Sequence, residues 1–504
     1  MSNKEKILSA ISYDTIGNVL VKFFLVSSGI IVARTLGPEL LGKYSIILIF
    51  CGSLGIIVSF GMEDALVRYS GELSGLGQNK WVGRMIKDII IFRILIVLAC
   101  SVLLLVFTNF TFGVLGLAVE WYTILFIIYF IFSNGLFSLF STFLQTKFQQ
   151  KYINIVTVSI SAVNFLTVVC LWFSHLLTVR SLLLAVIVFL TTKLILFGWR
   201  ARVVARETMK NDTDIAHDPL FYSNLKKRFL KYSVTMLFIS LGGVILAYRS
   251  DVYFISFFLG LTAVGYYNLA NNFIEGAFGL VLPGSFGPMY TSMMVESYHK
   301  NGVASLNKFF QKNVEYVFLF TFPLAIGGSI LARELILLFY GPAYLPATTL
   351  FILFFLISAI FKFAGSVSSI FVVLEKPHYF MWTKVISIIN IPLNLLFIPW
   401  FGVMGALGST SITLSLIFLV EYFLAKHLAS ISIPWVAIFK IGLLAVFMGF
   451  FTFWLGIKLQ FSLGVNLFIN IMLSALLYML SVYFFKIVDR EYFDFFLKKF
   501  KFSK

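Results

Sequence analysis

The chain has 504 residues, of which 60% are hydrophobic and 12% charged, and its mean hydropathy is +0.96. A water-soluble core cannot bury that much apolar surface, so the composition excludes a soluble globular protein and indicates a polytopic membrane protein. The three cysteines, Cys51, Cys100 and Cys170, fall inside apolar stretches. We expect them to pack as small hydrophobic side chains rather than to form a disulfide or metal framework.

Apolar stretches of about 20 residues, each long enough to cross a hydrocarbon layer of about 30 Å as a helix, recur along the chain. We predict about fourteen transmembrane helices, at 13–33, 41–62, 86–108, 119–145, 153–174, 179–199, 231–257, 262–290, 312–332, 346–374, 378–399, 403–426, 434–457 and 464–486. The first ten residues, MSNKEKILSA, are polar and basic, and no small-residue cleavage pattern follows them. We therefore expect the first helix to be retained.

The net charge of +17 is first tested as a sign of nucleic-acid binding. With the N-terminus inside, most of the 39 Lys and Arg residues lie in or beside cytoplasmic segments. Those placed outside are Arg34, Lys43, Arg180, Arg333 and Lys458. This asymmetry follows the positive-inside rule, so we predict a multi-pass protein of the cytoplasmic membrane with both termini in the cytoplasm and no nucleic-acid partner.

A short loop sequence occurs twice, as LGPELLGKY at 36–44 and as LGLTAVGYY at 259–267. Leu, Gly, Gly and Tyr recur in both copies with the same spacing. Each copy joins the first two helices of a group of six, and the glycines permit a tight turn. A fainter match relates 141–166 to 369–396. Together these predict an all-α fold of two parallel six-helix repeats plus two extra C-terminal helices.

The predicted domains follow from the repeat. They are an N-terminal six-helix lobe at 1–200, a cytoplasmic linker at 201–230, a C-terminal six-helix lobe at 231–428, and transmembrane helices 13 and 14 with a basic cytoplasmic tail at 429–504. Two facing lobes place a substrate pathway between them, where rocking exposes it to alternate sides of the membrane.

Polar side chains inside the predicted spans are the candidate site. They are Asn18 and Lys22 in the first helix, Arg249 and Asp251 in the seventh, Asn268, Asn272 and Glu275 in the eighth, and Lys362 in the tenth. An ionisable group at the bilayer centre costs about 2.5–3.5 kcal/mol or more, so such groups normally face a cavity or a partner. The three cations outnumber the two acids, which suits an anionic head group such as a phosphate or pyrophosphate.

The same charges also have a structural interpretation, because Arg249 or Lys22 could neutralise Asp251 or Glu275. Arg249 and Asp251 are two residues apart and point to different faces of a regular helix, so each would pair with another helix. A second hypothesis makes Asp251 and Glu275 the ion-coupling sites. Two further stripes, Asn134, Ser138, Ser141 and Gln145, and Ser387, Asn390 and Asn394, are interpreted as interhelical hydrogen-bonding residues.

The motifs RTLGPELLGKYS at 34–45, LGLTAVGYYNLA at 259–270, LFYGPAYLPA at 338–347 and IPWFGVMGALGST at 398–410 carry a family resemblance. With its predicted spans, the chain resembles the polysaccharide or oligosaccharide flippases of the multidrug, oligosaccharidyl-lipid and polysaccharide exporter superfamily. The resemblance implies flipping of polyprenyl-pyrophosphate-linked sugar repeat units to the outer leaflet for cell-surface polysaccharide assembly. It also implies contact with membrane lipids, and a polysaccharide polymerase and other assembly proteins as potential partners.

Alternatives within the superfamily are a lipid II flippase and an ion-coupled multidrug exporter. A drug exporter would bind cations, so Lys22 argues against it. A membrane glycosyltransferase or polymerase is less favoured because no nucleotide loop, zinc motif or nucleophile elbow occurs. In the linker, NDTDIAHDPL could ligate a divalent ion, but such loose spacing is common in solvated loops. We predict no catalytic residue, no metal site and no cofactor.

Overall fold

The protein is described by a computed structural model that covers residues 3–75, 78–210, 219–246, 248–282, 290–291, 294–295, 298, 302–459 and 461–485. Throughout these residues the regular structure is helical, and they contain no β-strand. The predicted all-α membrane fold is therefore confirmed. The acidic stretch of the linker at 211–218 and the basic tail from 486 onward lie outside the described residues.

The α-helices are numbered in chain order. They are α1 (Asn3–Ser59), α2 (Met62–Gly75), α3 (Asn79–Val106), α4 (Thr108–Val114), α5 (Trp121–Thr146), α6 (Gln150–Phe173), α7 (Val179–Lys210), α8 (Pro219–Leu246), α9 (Tyr248–Leu259), α10 (Leu261–Val281), α11 (Val303–Ile330), α12 (Ala332–Phe339), α13 (Thr348–Phe361), α14 (Ala364–Val373), α15 (Pro377–Val385), α16 (Asn390–Phe401), α17 (Val403–Ala429), α18 (Trp435–Lys458) and α19 (Leu463–Phe484). Two 3₁₀-helices occupy Pro342–Ala347 and Ile386–Ile389.

Eleven helices in the described part of the chain are long and apolar enough to cross a membrane. The first, Gly17–Ser59, has 43 residues and covers most of two of the predicted spans, 13–33 and 41–62. The predicted spans at 231–257 and 262–290 both include residues outside the described ranges. The exact count of fourteen therefore stays a prediction.

The chain forms two compact units. The first contains residues up to 268 together with 384–413. One of its apolar clusters is built mainly from α2, α3, α5, α7 and α8, and Leu66, Leu139 and Phe197 are fully buried in it. Burying one such side chain is worth about 1.5–3 kcal/mol, so this cluster fixes the helices that flank the candidate residues.

The second unit contains residues 269–383 and those from 414 onward. Its apolar cluster is built from α11, α14, α17, α18 and α19, with Phe310, Val367 and Ala445 fully buried. The two C-terminal helices, α18 and α19, thus pack into the core of this unit. Tyr478 of α19 donates a hydrogen bond to the carbonyl oxygen of Leu319 on α11 at 2.9 Å.

The predicted transmembrane helix at 378–399 is interrupted in the structure. The 3₁₀-helix Ile386–Ile389 precedes α16, which carries Pro392 in its first turn. Proline has no N–H and its ring clashes with the carbonyl four residues earlier, so it disrupts the helical ladder at this point. A tighter 3₁₀ turn is a common response to such a break. The regular helix that follows, α16, carries Asn390 and Asn394.

Candidate functional site

The two copies of the repeated loop meet in the first unit. Gly37 and Gly260 both have positive φ, +74° and +81°, and each breaks a helix. The second glycine of each copy lies against the backbone of the other copy. A methyl group on Gly42 would overlap the carbonyl oxygen of Leu261, and one on Gly265 would overlap that of Pro38. Glycine is required because the two backbones pass too closely for any side chain.

Asn268 lies one turn beyond this crossing, and it was predicted as a substrate-contacting residue. Its Nδ2 donates a hydrogen bond to Oγ of Ser45 at 2.6 Å. Ser45 and Asn268 are only 4% and 7% exposed. The pair fixes α10 against the second half of α1.

Arg249, near the start of α9, is half-buried beside the second half of α1. A methyl group placed on Gly52 would lie 3.8 Å from Cζ and from Nη1 of Arg249, so the guanidinium passes over this glycine. One turn later, Tyr253 donates a hydrogen bond to Oγ of Ser53 at 2.8 Å. Among the described residues, none accepts a hydrogen bond from the Arg249 guanidinium or forms an ion pair with it.

Asp251 is fully buried, and its partners are neutral. Oδ2 accepts hydrogen bonds from the hydroxyls of Tyr267 and Thr410, each at 2.7 Å. Oδ1 accepts one from Nδ2 of Asn394 at 2.8 Å. Arg249 therefore does not neutralise Asp251, and Asp251 bonds to other helices, as the spacing predicted. Three donors offset much of the cost of burying a carboxylate, but they supply no counter-charge.

Asn390 extends this network. Its Oδ1 accepts hydrogen bonds from Asn394 at 2.8 Å and from Ser250 at 3.2 Å, and its Nδ2 donates to Oγ1 of Thr410 at 3.0 Å. The interhelical role predicted for Asn390 and Asn394 is confirmed. Oδ1 of Asn394 is buried and has no hydrogen-bond partner in the described structure. A buried acceptor without a donor is costly.

Lys362 and Glu275 form a direct pair in the second unit. Nζ of Lys362 lies 2.7 Å from Oε2 and 2.9 Å from Oε1 of Glu275. The side chains are 28% and 49% exposed, so the pair remains accessible from one side. Lys362 also lies 5.8 Å from the ring centroid of Phe278. The structure thus pairs one predicted head-group contact with one predicted coupling residue.

The remaining predicted residues lie on α1 and α10. Asn18 is exposed and Lys22 is half-exposed on the first half of α1, one turn apart. Between α1 and α6, Gly17 makes a close approach to Asn154. Asn272 is exposed on α10, one turn before the exposed Glu275. Asn18, Lys22, Asn272 and Glu275 are therefore all accessible on their helices.

Sequence reasoning missed a buried ion pair in the first unit. Arg93 of α3 is 1% exposed, and its Nη2 lies 2.5 Å from Oε1 of Glu63. Arg93 also donates to the carbonyl oxygen of Gly135, and Ser138 donates to Glu63. In the sequence, Glu63 directly follows the predicted span 41–62 and Arg93 lies in the span 86–108, and neither belongs to a stripe of several polar residues.

Glu421 of α17 was missed in the same way. It is 2% exposed and accepts hydrogen bonds from Ser368 at 2.7 Å and from Thr383 at 2.9 Å in the second unit. These hydroxyls satisfy the carboxylate within the helix bundle. In the sequence, Glu421 could have been noticed as a single acidic residue inside the predicted span 403–426.

Aromatic and charged contacts join the start of α3 to the start of α8 in the first unit. The rings of Trp81 and Tyr222 stack with centroids 4.9 Å apart, and Arg84 lies 4.5 Å from the Tyr222 ring centroid. Burial, together with a hydrogen bond to Asp88 at 3.0 Å, raises the pKa of Tyr222. Lys226 also reaches Asp88, at 3.3 Å. The start of α8, which lies within the predicted linker 201–230, is thereby held on α3.

A sequence profile described as "Polysaccharide biosynthesis protein" matches residues 7–294, which is more than half of the chain. The protein belongs to this family. An uncharacterized membrane protein of Methanocaldococcus jannaschii is 24% identical over 486 residues, covering 88% of this chain and 90% of the relative. The resemblance to the polysaccharide members of the exporter superfamily is thus confirmed for this polysaccharide biosynthesis protein.

Solved structures share the fold of this polysaccharide biosynthesis protein. The lipid II flippase MurJ in an inward closed conformation superposes with a TM-score of 0.72 at 17% identity, covering 94% of this chain and 99% of that chain. An inward-facing multidrug resistance MATE family transporter of the MOP superfamily gives a TM-score of 0.61 at 14% identity, covering 81% and 94%. At these identities the likeness establishes a transporter fold.

Proposed function

We propose that this polysaccharide biosynthesis protein flips polyprenyl-pyrophosphate-linked oligosaccharide repeat units across the cytoplasmic membrane by alternating access. The observation that carries the proposal is Arg249, a guanidinium inside a predicted span with no described carboxylate or hydrogen-bond acceptor. Leaving a charge unpaired in a membrane protein is costly, so such a group normally serves a ligand. The planar fork of arginine matches phosphate oxygens in a bidentate geometry.

The other proposed head-group contacts are Lys22, Lys362, Asn18, Asn268 and Asn272. In the described state Asn268 is bonded to Ser45 and Lys362 to Glu275. Both must exchange partners to bind a substrate, whereas Arg249 needs no such exchange. We therefore assign initial capture of the pyrophosphate to Arg249. The lipid tail stays in hydrocarbon, so only the transfer free energy of the head group has to be lowered.

Coupling to an ion gradient is proposed at Asp251 and Glu275. Asp251 is buried among neutral donors beside the unpartnered Oδ1 of Asn394. A proton bound to Asp251 would neutralise its carboxylate in this buried site. Protonation of Glu275 would instead break its ion pair with Lys362, and the freed ammonium group would then bind the substrate. If Asn and Gln replacements at both positions left transport and its pH dependence unchanged, this coupling would be excluded.

Both termini are proposed to be cytoplasmic, following the charge distribution. Membrane lipids surround the protein, and a polysaccharide polymerase with other assembly proteins would consume the flipped product. No catalytic role is assigned to any residue, and no cofactor enters the proposal.

The test is translocation of a fluorescent polyprenyl-pyrophosphate oligosaccharide in proteoliposomes. Wild type is compared with Arg249→Gln, Arg249→Lys and Lys22→Gln. The matched control is Arg333→Gln, because Arg333 is an exposed arginine at the start of α12 and has no role in the proposal. Losing one charge-assisted hydrogen bond costs about 1.5–3 kcal/mol, so we expect a fall of about tenfold or more for Arg249→Gln and a smaller fall for Arg249→Lys.

Three results would contradict the proposal. Equal translocation by wild type and Arg249→Gln would remove Arg249 from substrate capture. Translocation of lipid II but of no oligosaccharide-linked polyprenyl would move the assignment to a lipid II flippase. Efflux of an organic cation without movement of either lipid would indicate a multidrug exporter.

A further inference from the structure

A cavity of about 600 Å³ opens on the lipid-facing side of the first unit, between α3, α5 and α7. Its walls include Leu98, Leu125 and Leu184, which are each between 56% and 57% exposed. The volume lies in the range of small-molecule binding sites, about 300–1,000 Å³. The cavity is therefore large enough to hold an extended hydrocarbon chain, and its walls are suited to one.

The length of this groove matches one leaflet of a bilayer. It runs along α5 from Tyr122 to Phe132, which is about 15 Å at 1.5 Å per helical residue. The hydrocarbon layer is about 30 Å thick, so the groove is about as long as half of that thickness. Trp121 and Tyr122 lie at its outer end, where such side chains anchor proteins at the interface.

One charged side chain, Arg180, lines the mouth of the groove. It is exposed at the start of α7, and its Cζ lies 5.6 Å from the ring centroid of Tyr122. No described residue accepts a hydrogen bond from its guanidinium. The nearby Glu120 is already engaged, because Lys43 lies 2.8 Å from its Oε1 and Tyr122 donates a hydrogen bond to its Oε2.

The remaining polar groups of the groove are satisfied within the protein. Ser101 donates a hydrogen bond to the carbonyl oxygen of Val97 at 2.7 Å, and the hydroxyls of Tyr129 and Thr191 are 2.5 Å apart. The interior thus offers hydrocarbon contact only, while the mouth offers five N–H donors in a planar fork. An amphiphile with an anionic head and an apolar tail is complementary to both parts.

We infer that this groove binds a glycerophospholipid of the outer leaflet, with the phosphodiester on Arg180 and one acyl chain between α3, α5 and α7. The local charges favour an anionic lipid, since Arg180 and Lys43 outnumber Glu120. The site lies on α3, α5 and α7, so it is separate from the proposed head-group contacts at Arg249, Lys22 and Lys362. The inference depends on the membrane fold and, for the choice of leaflet, on the proposed orientation, but it does not depend on the proposed substrate.

Native mass spectrometry of the delipidated protein, titrated with dipalmitoyl phosphatidylglycerol, tests this site. Arg180→Gln removes the phosphate partner, and Leu125→Trp fills the groove without changing charge. Each variant should bind the tightest lipid about tenfold more weakly than wild type, which corresponds to about 1.4 kcal/mol. Arg333→Gln is the control and should bind as wild type does.

Two outcomes would overturn the inference. One is unchanged lipid affinity in both Arg180→Gln and Leu125→Trp. The other is displacement of the lipid by inorganic phosphate with normal lipid binding in Leu125→Trp, which would identify a free-anion site that makes no use of the groove. Near-wild-type melting of Arg180→Gln, an exposed substitution, would show that any loss of binding is local.

Discussion

Ser45 and Asn268 directly follow the two copies of the repeated loop at equivalent positions, 223 residues apart, and their side chains hydrogen-bond to each other at 2.6 Å. A local pseudo-two-fold relation between the two copies brings equivalent residues together in this way. The paired glycines obey the same relation, since Gly42 lies against Leu261 and Gly265 against Pro38. The loop is repeated because both copies form one helix crossing.

The Ser45–Asn268 bond should give a measurable coupling energy. Hydrogen bonds between transmembrane helices average about 0.6 kcal/mol in double-mutant cycles, with a maximum of about 1.7. We expect a value in this range from Ser45→Ala, Asn268→Ala and the double variant, measured by chemical unfolding in detergent. A coupling energy indistinguishable from zero would mean that the contact does not stabilise the crossing.

Gly42→Ala should destabilise the protein far more than a typical glycine substitution. The new methyl group would overlap the Leu261 carbonyl oxygen, and backbone on both sides would have to separate. Forcing an extra methyl group into packed structure costs about 1–3 kcal/mol, so a clear fall in melting temperature is expected. Gly265→Ala should behave similarly, because it meets the Pro38 carbonyl.

The control for this experiment is Gly71→Ala. Gly71 lies within α2, and a methyl group there would meet nothing within 4 Å. Alanine is favoured over glycine in a helix, so this variant should be neutral or slightly more stable. Equal melting of Gly42→Ala and Gly71→Ala would show that the crossing tolerates separation.

The helical class and the repeat could be predicted because each leaves a periodic trace in sequence. Apolar runs report membrane spans, and the spacing of Gly37 and Gly42 recurs at Gly260 and Gly265. Which backbone each glycine touches could not be read from the sequence, since that depends on the angle at which the helices cross. The repeat thus predicted matched positions without predicting that they contact each other.

The sequence predicted which polar residues lie inside the helices, but it did not predict which of them bond to each other. Asn394 was expected to bond between helices, yet its partner Asp251 is 143 residues away in sequence. Arg93 and Glu63 were missed because single polar residues form no stripe on a helix. Lys362 was expected to face a substrate, and in the structure it holds Glu275. Such pairings follow from helix rotation, which neither composition nor spacing determines.

The buried pair of Arg93 and Glu63 leads to a prediction about charge balance. Removing Arg93 leaves Glu63, whose side chain is 18% exposed, without its counter-charge, which costs up to about 3–5 kcal/mol. Arg93→Met should therefore lower the free energy of unfolding strongly. The double variant Arg93→Met with Glu63→Met should be more stable than Arg93→Met alone, because no isolated charge remains. A double variant that is less stable than Arg93→Met would contradict this account.

Tyr222 leads to a prediction about alkaline pH. Burial and the hydrogen bond to Asp88 raise its pKa above the value of about 10 for a free tyrosine. The folded state then retains a proton that the unfolded state releases. The stabilisation is complete below about pH 10 and is lost as the pH rises through the folded-state pKa.

The melting temperature should therefore fall more steeply between about pH 8 and pH 11 for wild type than for Tyr222→Phe, which lacks this proton. At neutral pH the variant should be less stable by about 0.5–1.5 kcal/mol, the value of one hydrogen bond. Tyr232→Phe is the matched control, since the Tyr232 ring packs against Tyr69 at 6.2 Å while its hydroxyl bonds to no described residue. Parallel pH profiles for wild type and Tyr222→Phe would show that the Tyr222–Asp88 contact does not persist in the folded protein.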